Sequence, residues 1–389
     1  INYFTLIMSS LPRFSQINPA TIVAELDTIL AQNRAELLLL LSEIISLDWN
    51  FIQKLDDLDD RLQHFWSPIN HLHAVKQTAK LRLAYNECLA KISAYSSELS
   101  QNSRLYQAIK TLDNGDYRFN YAQKKCLHNE LRDFHLGGID LPKAKQKRYQ
   151  VIQAQLAQLS NQFEENLLDA TANWSKCISD KSELKGLPTY IIASAEKAAK
   201  DKNMSGCLLS LDYPCYFPVL SYADNRALRE SVYKAYITRA SEFGNMAFDN
   251  SPIMFKILNL RHELSQLLGF KNYAQKSLAS NKMAKTPEEV LSFLENLLRC
   301  TQSKADAEWQ ALYNFAQSRD QIDTLQPWDI LYYREKLQEK MFGICDDTLR
   351  CYFPVEKVLS GLFKLIHDLF GMQIQEIKEV DVWDPAVRF

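Results

Sequence analysis

An unbroken apolar pattern from Pro142 to Trp174 constrains the fold of this chain more than any other feature of its sequence. Apolar residues recur there at steps of three or four, the spacing of one face of an α-helix. At 1.5 Å per residue, such a helix spans about 45 Å. A single apolar seam on so long a helix is typical of a packed helical bundle, and we predict that this is the longest helix of the chain. The seam comprises Tyr149, Ile152, Leu156, Leu159, Phe163, Leu167, Ala170 and Trp174.

Glycine and proline are scarce along the whole sequence. The 389 residues include only 10 glycines and 12 prolines, which favours long helices over short strands joined by turns. A chain of this length exceeds one ordinary compact core, so we expect two units or one large helical body. The predicted fold class is therefore mainly α, a long-helix bundle with a few short strands.

The helical pattern is interrupted at Leu208–Arg239. Leu208–Asp212 and Val219–Tyr222 are short apolar runs bounded by prolines, and we predict both as extended segments. Asp224 or Asn225 is then expected to cap a new helix.

Other breaks and starts are predicted from proline, capping residues and composition. Ser67-Pro68 should interrupt the helix that opens at Asp48, and Thr286 with Glu289 forms a predicted capping box. Met372–Val382 alternates loosely and is predicted as a strand. We place the domain boundary within the lysine-rich segment Ala195–Ser205, which gives domains at 9–200 and 201–389.

Charge and cysteine usage exclude several classes of function. The formal net charge is −2 with no long basic run, so nothing supports binding to nucleic acid or to an anionic membrane. The eight cysteines include no CxxC pair, and the closest two, Cys345 and Cys351, have five residues between them. We expect reduced thiols and a cytoplasmic location. No apolar stretch is long enough to span a bilayer.

The histidines do not form a recognisable metal motif. The nearest string to HExxH begins at His262-Glu263, but Gln266 occupies the position of the second ligand. We expect packing or a surface ion pair for His262. His71 and His73 are two residues apart and would face differently on a helix. The alternatives left open are metal binding for that pair, which no nearby carboxylate or cysteine supports, and a solvated or capping role for His128 and His135.

Three further groups of residues fit a structural role better than a functional site. The acidic run Asp56, Asp57, Asp59 and Asp60 lacks the glycine and the ligand spacing of a calcium loop, so a solvated face is expected. Gly137-Gly138 reads as a helix stop. Tyr233 and Tyr236 could line a groove, although packing is the favoured interpretation. The residues alone therefore predict no catalytic, no cofactor-binding and no metal-binding site.

Long strings of this sequence resemble the thimet-oligopeptidase family of zinc metallopeptidases. They include YADNRALR at Tyr222–Arg229, LRDFHLGGIDLP from Leu131, RHELSQLLGFKNYA from Arg261 and VDVWDPAVRF at Val380–Phe389. Their order in the chain matches the order in the family.

The resemblance implies a two-lobed, clam-like helical fold around a channel. Its members hydrolyse short, unfolded peptides in the cytoplasm, with a zinc ion held by the two histidines of HExxH and a later glutamate. In the family those ligands follow the part that this chain resembles, so none can be assigned to a residue here. Zinc is expected in the complete enzyme and not in this chain alone.

The resemblance leaves two interpretations of the chain. The first is the N-terminal part of such a peptidase: residues 1–8 would lie upstream of the natural start, 201–389 would begin the peptidase domain, and the missing C-terminal half would be a partner. The alternative is a non-catalytic helical module that binds peptides or another protein. An unrelated helical scaffold is disfavoured by the ordered strings.

Overall fold

The computed structural model describes residues 11–42, 47–115, 117–280, 282–344 and 349–389. Helices dominate these residues, which confirms the mainly α fold class. None of the described helices is both long and apolar enough to cross a membrane. The helices are α1 (Ile22–Ser42), α2 (Trp49–Val75), α3 (Ala79–Ser100), α4 (Ser103–Asn114), α5 (Tyr121–Leu136), α6 (Lys143–Asn173), α7 (Thr189–Asp201), α8 (Tyr213–Tyr222), α9 (Arg226–Ile237), α10 (Ser251–Leu267), α11 (Tyr273–Ala279), α12 (Pro287–Asp320), α13 (Pro327–Phe342) and α14 (Val355–Phe370).

Two short strands form an antiparallel pair. Strand β1 (Ser175–Ile178) pairs with β2 (Cys207–Ser210), with Lys176 opposite Leu209. The extended conformation predicted from Leu208 is thus found in β2. All three leading residues of β2 are buried, because the strand packs against the helices that follow it.

The second extended prediction, Val219–Tyr222, is wrong. This run lies within α8, with Pro214 near the start of the helix, where its missing N–H costs no helical hydrogen bond. A short apolar run does not distinguish a strand from a buried helix. Val219 and Leu220 are both fully buried, and this explains why the segment lacks an amphipathic helical pattern.

Three other local predictions also require correction. Helix α2 continues through Pro68, which is itself buried beside Ile69, so packing offsets the lost backbone hydrogen bond. No strand is found in Met372–Val382, where the segment runs without a described partner strand. The predicted long helix is α6, at 31 residues, but α12 is longer at 34.

The chain divides into two compact units. The first unit comprises Ile1–Asn161, Lys256–Glu289 and Gln375–Phe389, and the second comprises Gln162–Phe255 and Val290–Ile374. In the first unit, α1, α2 and α3 share one apolar core, and α4 and α5 pack with parts of α1 and α2 in another. In the second unit, β1, β2, α7, α8 and α9 enclose the largest core, and α12 packs against α13 in a smaller one.

Candidate functional site

The string that most resembles a zinc motif lies on helix α10 and is occupied by structural contacts. Glu263 forms an ion pair with Arg148, with Oε1 2.6 Å from Nε. This contact lowers the pKa of Glu263 below its ordinary value, chiefly through the hydrogen bond from Arg148. Gln266 donates a hydrogen bond to the carbonyl of Lys271 at 2.9 Å. His262 is exposed, and the residues around it serve packing and loop closure.

His71 and His73 have separate aromatic surroundings on α2. His73 is buried and stacks on the ring of Tyr85, with centroids 3.8 Å apart. The ring of His71 lies 5.8 Å from Phe14 and 5.4 Å from Trp383. The helical conformation separates the two imidazoles, as expected for residues two positions apart.

His128 and His135, both on α5, each contact a different carboxylate. His128 Nε2 lies 3.2 Å from an oxygen of Asp113, and His135 Nδ1 contacts Asp140. Both histidines are largely exposed. The two imidazoles do not converge on a common point.

The acidic run of α2 and the Gly137-Gly138 pair are also accounted for by structure. Asp56, Asp57, Asp59 and Asp60 are all exposed on α2, in agreement with the predicted solvated face. Helix α5 ends at Gly137, and Gly138 has φ +81°, a left-handed conformation that favours glycine.

The tyrosines considered as a groove lining are packed. Tyr236 stacks on Tyr216 with ring centroids 3.7 Å apart, and the Arg239 guanidinium lies 3.5 Å from the Tyr236 ring centroid. Tyr233 packs against Trp328. Of the two close cysteines, Cys351 is exposed, and Cys345 lies outside the described residues.

The described part of the chain does not offer a zinc site. No group of three or more His, Cys, Asp or Glu side chains within it is arranged to hold a metal ion. The whole sequence contains no HExxH string. The residues present therefore do not fit the metal that the family resemblance implies.

A buried charge cluster in the second unit escaped the sequence predictions. Asp329, on the first turn of α13, is fully buried and accepts hydrogen bonds from Arg226 at 2.6 Å and from Arg229 at 2.9 Å. Arg229 is only 1% exposed; it also donates to the carbonyl of Ala223 at 2.8 Å, and its guanidinium lies 4.1 Å from the Tyr332 ring centroid. We call Arg226, Arg229 and Asp329 the arginine–aspartate cluster.

The cluster is electrostatically complementary and fastens α9 to α13. Burial alone would raise the pKa of Asp329. Hydrogen bonds from Arg226, from the Gln326 backbone N–H and from Arg229 outweigh burial, so this pKa lies below its ordinary value. The carboxylate therefore stays ionised and tied to both arginines. No substrate is needed to satisfy these charges, so the cluster is a structural element.

A different part of the second unit exposes apolar surface. Helix α14 has no buried residue, and its apolar side chains recur along one stripe. The N-terminal half of α12 likewise exposes a set of large apolar side chains. Exposed apolar surface of this kind is typical of interaction sites. We call these two stripes the apolar faces; they are Val355, Val358, Leu362, Leu365 and Leu369 on α14, and Leu291, Leu294, Leu297 and Leu298 on α12.

Comparisons with known proteins show sequence similarity along nearly the whole chain. Residues 26–146 match the family Neurolysin/Thimet oligopeptidase, N-terminal domain, and residues 219–389 match Peptidase family M3. The chain is 46% identical to oligopeptidase A of Salmonella typhimurium over 98% of its own length and 56% of that protein. The oligopeptidase A of Escherichia coli is 45% identical, with 97% and 56% covered.

A more distant relative shows similar coverage. A probable cytosolic oligopeptidase A of Arabidopsis thaliana is 35% identical over 97% of this chain and 55% of the relative. The chain thus spans about half the length of the curated relatives that it matches.

Proposed function

We propose that this chain is the N-terminal part of an oligopeptidase of peptidase family M3, which its residues 219–389 match, and that the complete enzyme hydrolyses short, unfolded peptides. The observation that carries the proposal is the continuous 46% identity to an oligopeptidase A over 98% of the chain. We further propose domains at 9–200 and 201–389. We also propose a cytoplasmic location, which the name of the probable cytosolic oligopeptidase A of Arabidopsis thaliana indicates for that relative.

The 389-residue chain alone is proposed to be catalytically incomplete. A zinc peptidase of this kind requires two histidines and a glutamate to hold the metal, and a general base to activate water. The described residues provide no such cluster, and the sequence contains no HExxH. We therefore expect no stoichiometric zinc and no peptide cleavage from this chain by itself.

The apolar faces are proposed to be covered by polypeptide that corresponds to the part of the relatives without a counterpart here. In the relatives about 44% of the length lies outside the match, since the match covers 56%. A segment of that size is large enough to supply both the metal ligands and an apolar surface that pairs with α12 and α14. Covering leucine stripes of this kind with polypeptide removes their apolar surface from water, which is more favourable than leaving them exposed to solvent.

The test measures zinc content and hydrolysis of a quenched fluorescent nonapeptide. The 389-residue chain is assayed alone, and then with the C-terminal segment of the Salmonella relative that this chain does not match. We expect no zinc and no cleavage alone, and chelator-sensitive cleavage from the mixture. Cleavage by the chain alone that is lost on chelation would contradict the catalytic part of the proposal. A mixture that forms a complex without hydrolysing the peptide would favour the non-catalytic binding module instead.

A further inference from the structure

A polar cavity in the first unit has no role in the proposed catalysis. Its volume is about 650 Å³, and α3, α5, α6, α10 and α11 contribute to its walls. Sites for small molecules typically have volumes of ~300–1,000 Å³. The cavity is therefore large enough for a small ligand.

Two cations of this cavity lie beside a single aromatic ring. The Arg261 guanidinium is 4.9 Å and the Lys276 ammonium 5.9 Å from the centroid of the Tyr273 ring. Within the described ranges, neither side chain forms an ion pair. Burial lowers the pKa of Lys276 below its ordinary value, although Asp133 opposes this effect at longer range. An anion bound between the two head groups would supply the charge partner that both lack.

The remaining walls of this cavity carry hydroxyl and amide groups. Tyr149 and Gln153 are joined by a hydrogen bond of 2.7 Å from Nε2 to the phenol oxygen. Hydroxyls and amides can donate to the oxygens of an anion. Six serines complete this lining: Ser93, Ser96, Ser97, Ser100, Ser160 and Ser280.

A second cavity of opposite charge adjoins the first. Its volume is about 330 Å³, and it shares Ser96, Ser100 and Asp133 with the cationic cavity. No lysine, arginine or histidine is among its lining residues. Glu130 contributes a carboxylate to this lining. The other carboxylates of this lining are Asp56 and Asp59.

We propose that the two adjoining cavities bind a short peptide with free ends, its C-terminal carboxylate between Arg261 and Lys276 and its amino end toward the acidic cavity. Charge complementarity favours this ligand, because a zwitterionic peptide matches both cavities, whereas a simple oxyanion matches only the cationic one. The site would select peptides by their free ends, apart from the bond that is cleaved. The proposal rests on the oligopeptidase function for its substrate class, but binding here requires neither zinc nor hydrolysis.

Calorimetry on the 389-residue chain tests the proposal. The probes are Ala-Ala-Ala with free ends, its C-terminally amidated form, its N-acetylated form and inorganic phosphate. We expect amidation to weaken binding at least tenfold, equivalent to about 1.4 kcal/mol, and acetylation to weaken it also. Equal binding of the free and amidated peptides would overturn the assignment. Phosphate that binds more tightly than the free peptide would show a simple anion site and would overturn it too.

Matched lysine variants locate the carboxylate. Lys276→Gln is expected to weaken the free tripeptide about tenfold and to abolish the difference between the free and amidated forms. Lys271→Gln, an exposed lysine that does not line the cavity, should leave both unchanged. Arg261→Gln provides a second variant if Lys276→Gln does not fold, as judged by circular dichroism. If the difference between the two peptides persists in the folded variants, the carboxylate lies elsewhere and the proposal fails. Failure of the zinc and hydrolysis assay would leave these binding results unaffected.

Discussion

The second unit contains two regions that differ in how far their helices bury apolar side chains. Around the arginine–aspartate cluster, α8, α9 and α13 contribute fully buried apolar side chains such as Val219, Val232 and Tyr333, and even the side chain of Arg229 is enclosed. On α14 no residue is buried, although its leucine and valine side chains recur along one regular stripe. A leucine stripe therefore predicts that a helix packs against something, but it does not indicate what covers it.

The contrast also separates stability from assembly. The charges of the cluster are paired with one another within the described second unit, so substitutions there should act on the free energy of unfolding. The apolar faces lack covering contacts, so substitutions there should act on association with other polypeptide. The predictions below test this distinction, beginning with the largest expected effect on stability.

Arg229→Met is expected to be the most damaging substitution. It retains much of the side-chain volume but leaves the buried Asp329 carboxylate with only the half-exposed Arg226 as its ionic partner. Removing one member of a buried ion pair typically costs about 3–5 kcal/mol. Urea denaturation monitored by circular dichroism measures the loss. Arg226→Met is the comparison: it too removes an ionic partner of the buried Asp329, but its side chain is 43% exposed, so solvent screens its contribution and we expect a smaller loss. Equal losses from the two variants would contradict the structural role assigned to the enclosed arginine.

A pair of leucine truncations compares the two regions directly. Leu220→Ala removes a side chain that is 1% exposed in the core of α8, and buried leucine truncations cost about 2–5 kcal/mol. Leu365→Ala removes one that is 53% exposed on α14, and surface changes usually remain within about 0.5 kcal/mol. The same urea titration measures both. A loss above 2 kcal/mol for Leu365→Ala would mean that α14 is already covered in the isolated chain.

The stability of the second unit should fall in acid. The folded-state pKa of Asp329 lies below its ordinary value, so its contribution is fully present above the unfolded pKa of about 4. That contribution is lost as the pH falls through the folded pKa. Asp329→Asn should flatten this acid limb, at the cost of lower stability at pH 7. Urea midpoints between pH 7 and pH 3 provide the measurement; a limb of unchanged steepness in the variant would assign the acid sensitivity to other carboxylates.

Helix starts were the features best predicted from local sequence. Asn225 caps α9 by accepting from the Leu228 N–H at 3.1 Å, and Thr286 accepts from the Glu289 N–H at 3.3 Å. A cap joins residues two or three positions apart, so its signal is complete within a short window. The same locality explains why the helix break predicted at Pro68 is wrong. Tertiary packing around Pro68, which a short sequence window does not contain, allows α2 to continue.

The arginine–aspartate cluster could not be predicted in the same way. Arg229 and Asp329 are separated by 100 positions, and neither residue has a neighbouring signal for burial. Pro327 at the first position of α13 is a local signal for the start of a helix, but it does not indicate the partner of the first-turn carboxylate. The two adjoining cavities of the first unit were missed for a similar reason. Lys276 lines one cavity and Glu130 the other, and only the packing of separate helices brings these residues to adjoining cavities.

Introducing charge into the apolar face of α14 should have the smallest effect on stability and a large effect on assembly. We expect Leu362→Glu with Leu365→Glu to change the free energy of unfolding by no more than about 0.5 kcal/mol, since both side chains are exposed. The same pair should reduce binding of an apolar fluorescent dye and abolish association with the C-terminal segment, because two carboxylates would be buried without partners in that interface. Size-exclusion chromatography of the mixture measures association, and Lys357→Gln on the same helix is the control that should retain it. If the doubly charged variant associates as well as the control, the apolar face of α14 is not the docking surface, and the contrast between the two regions must have another cause.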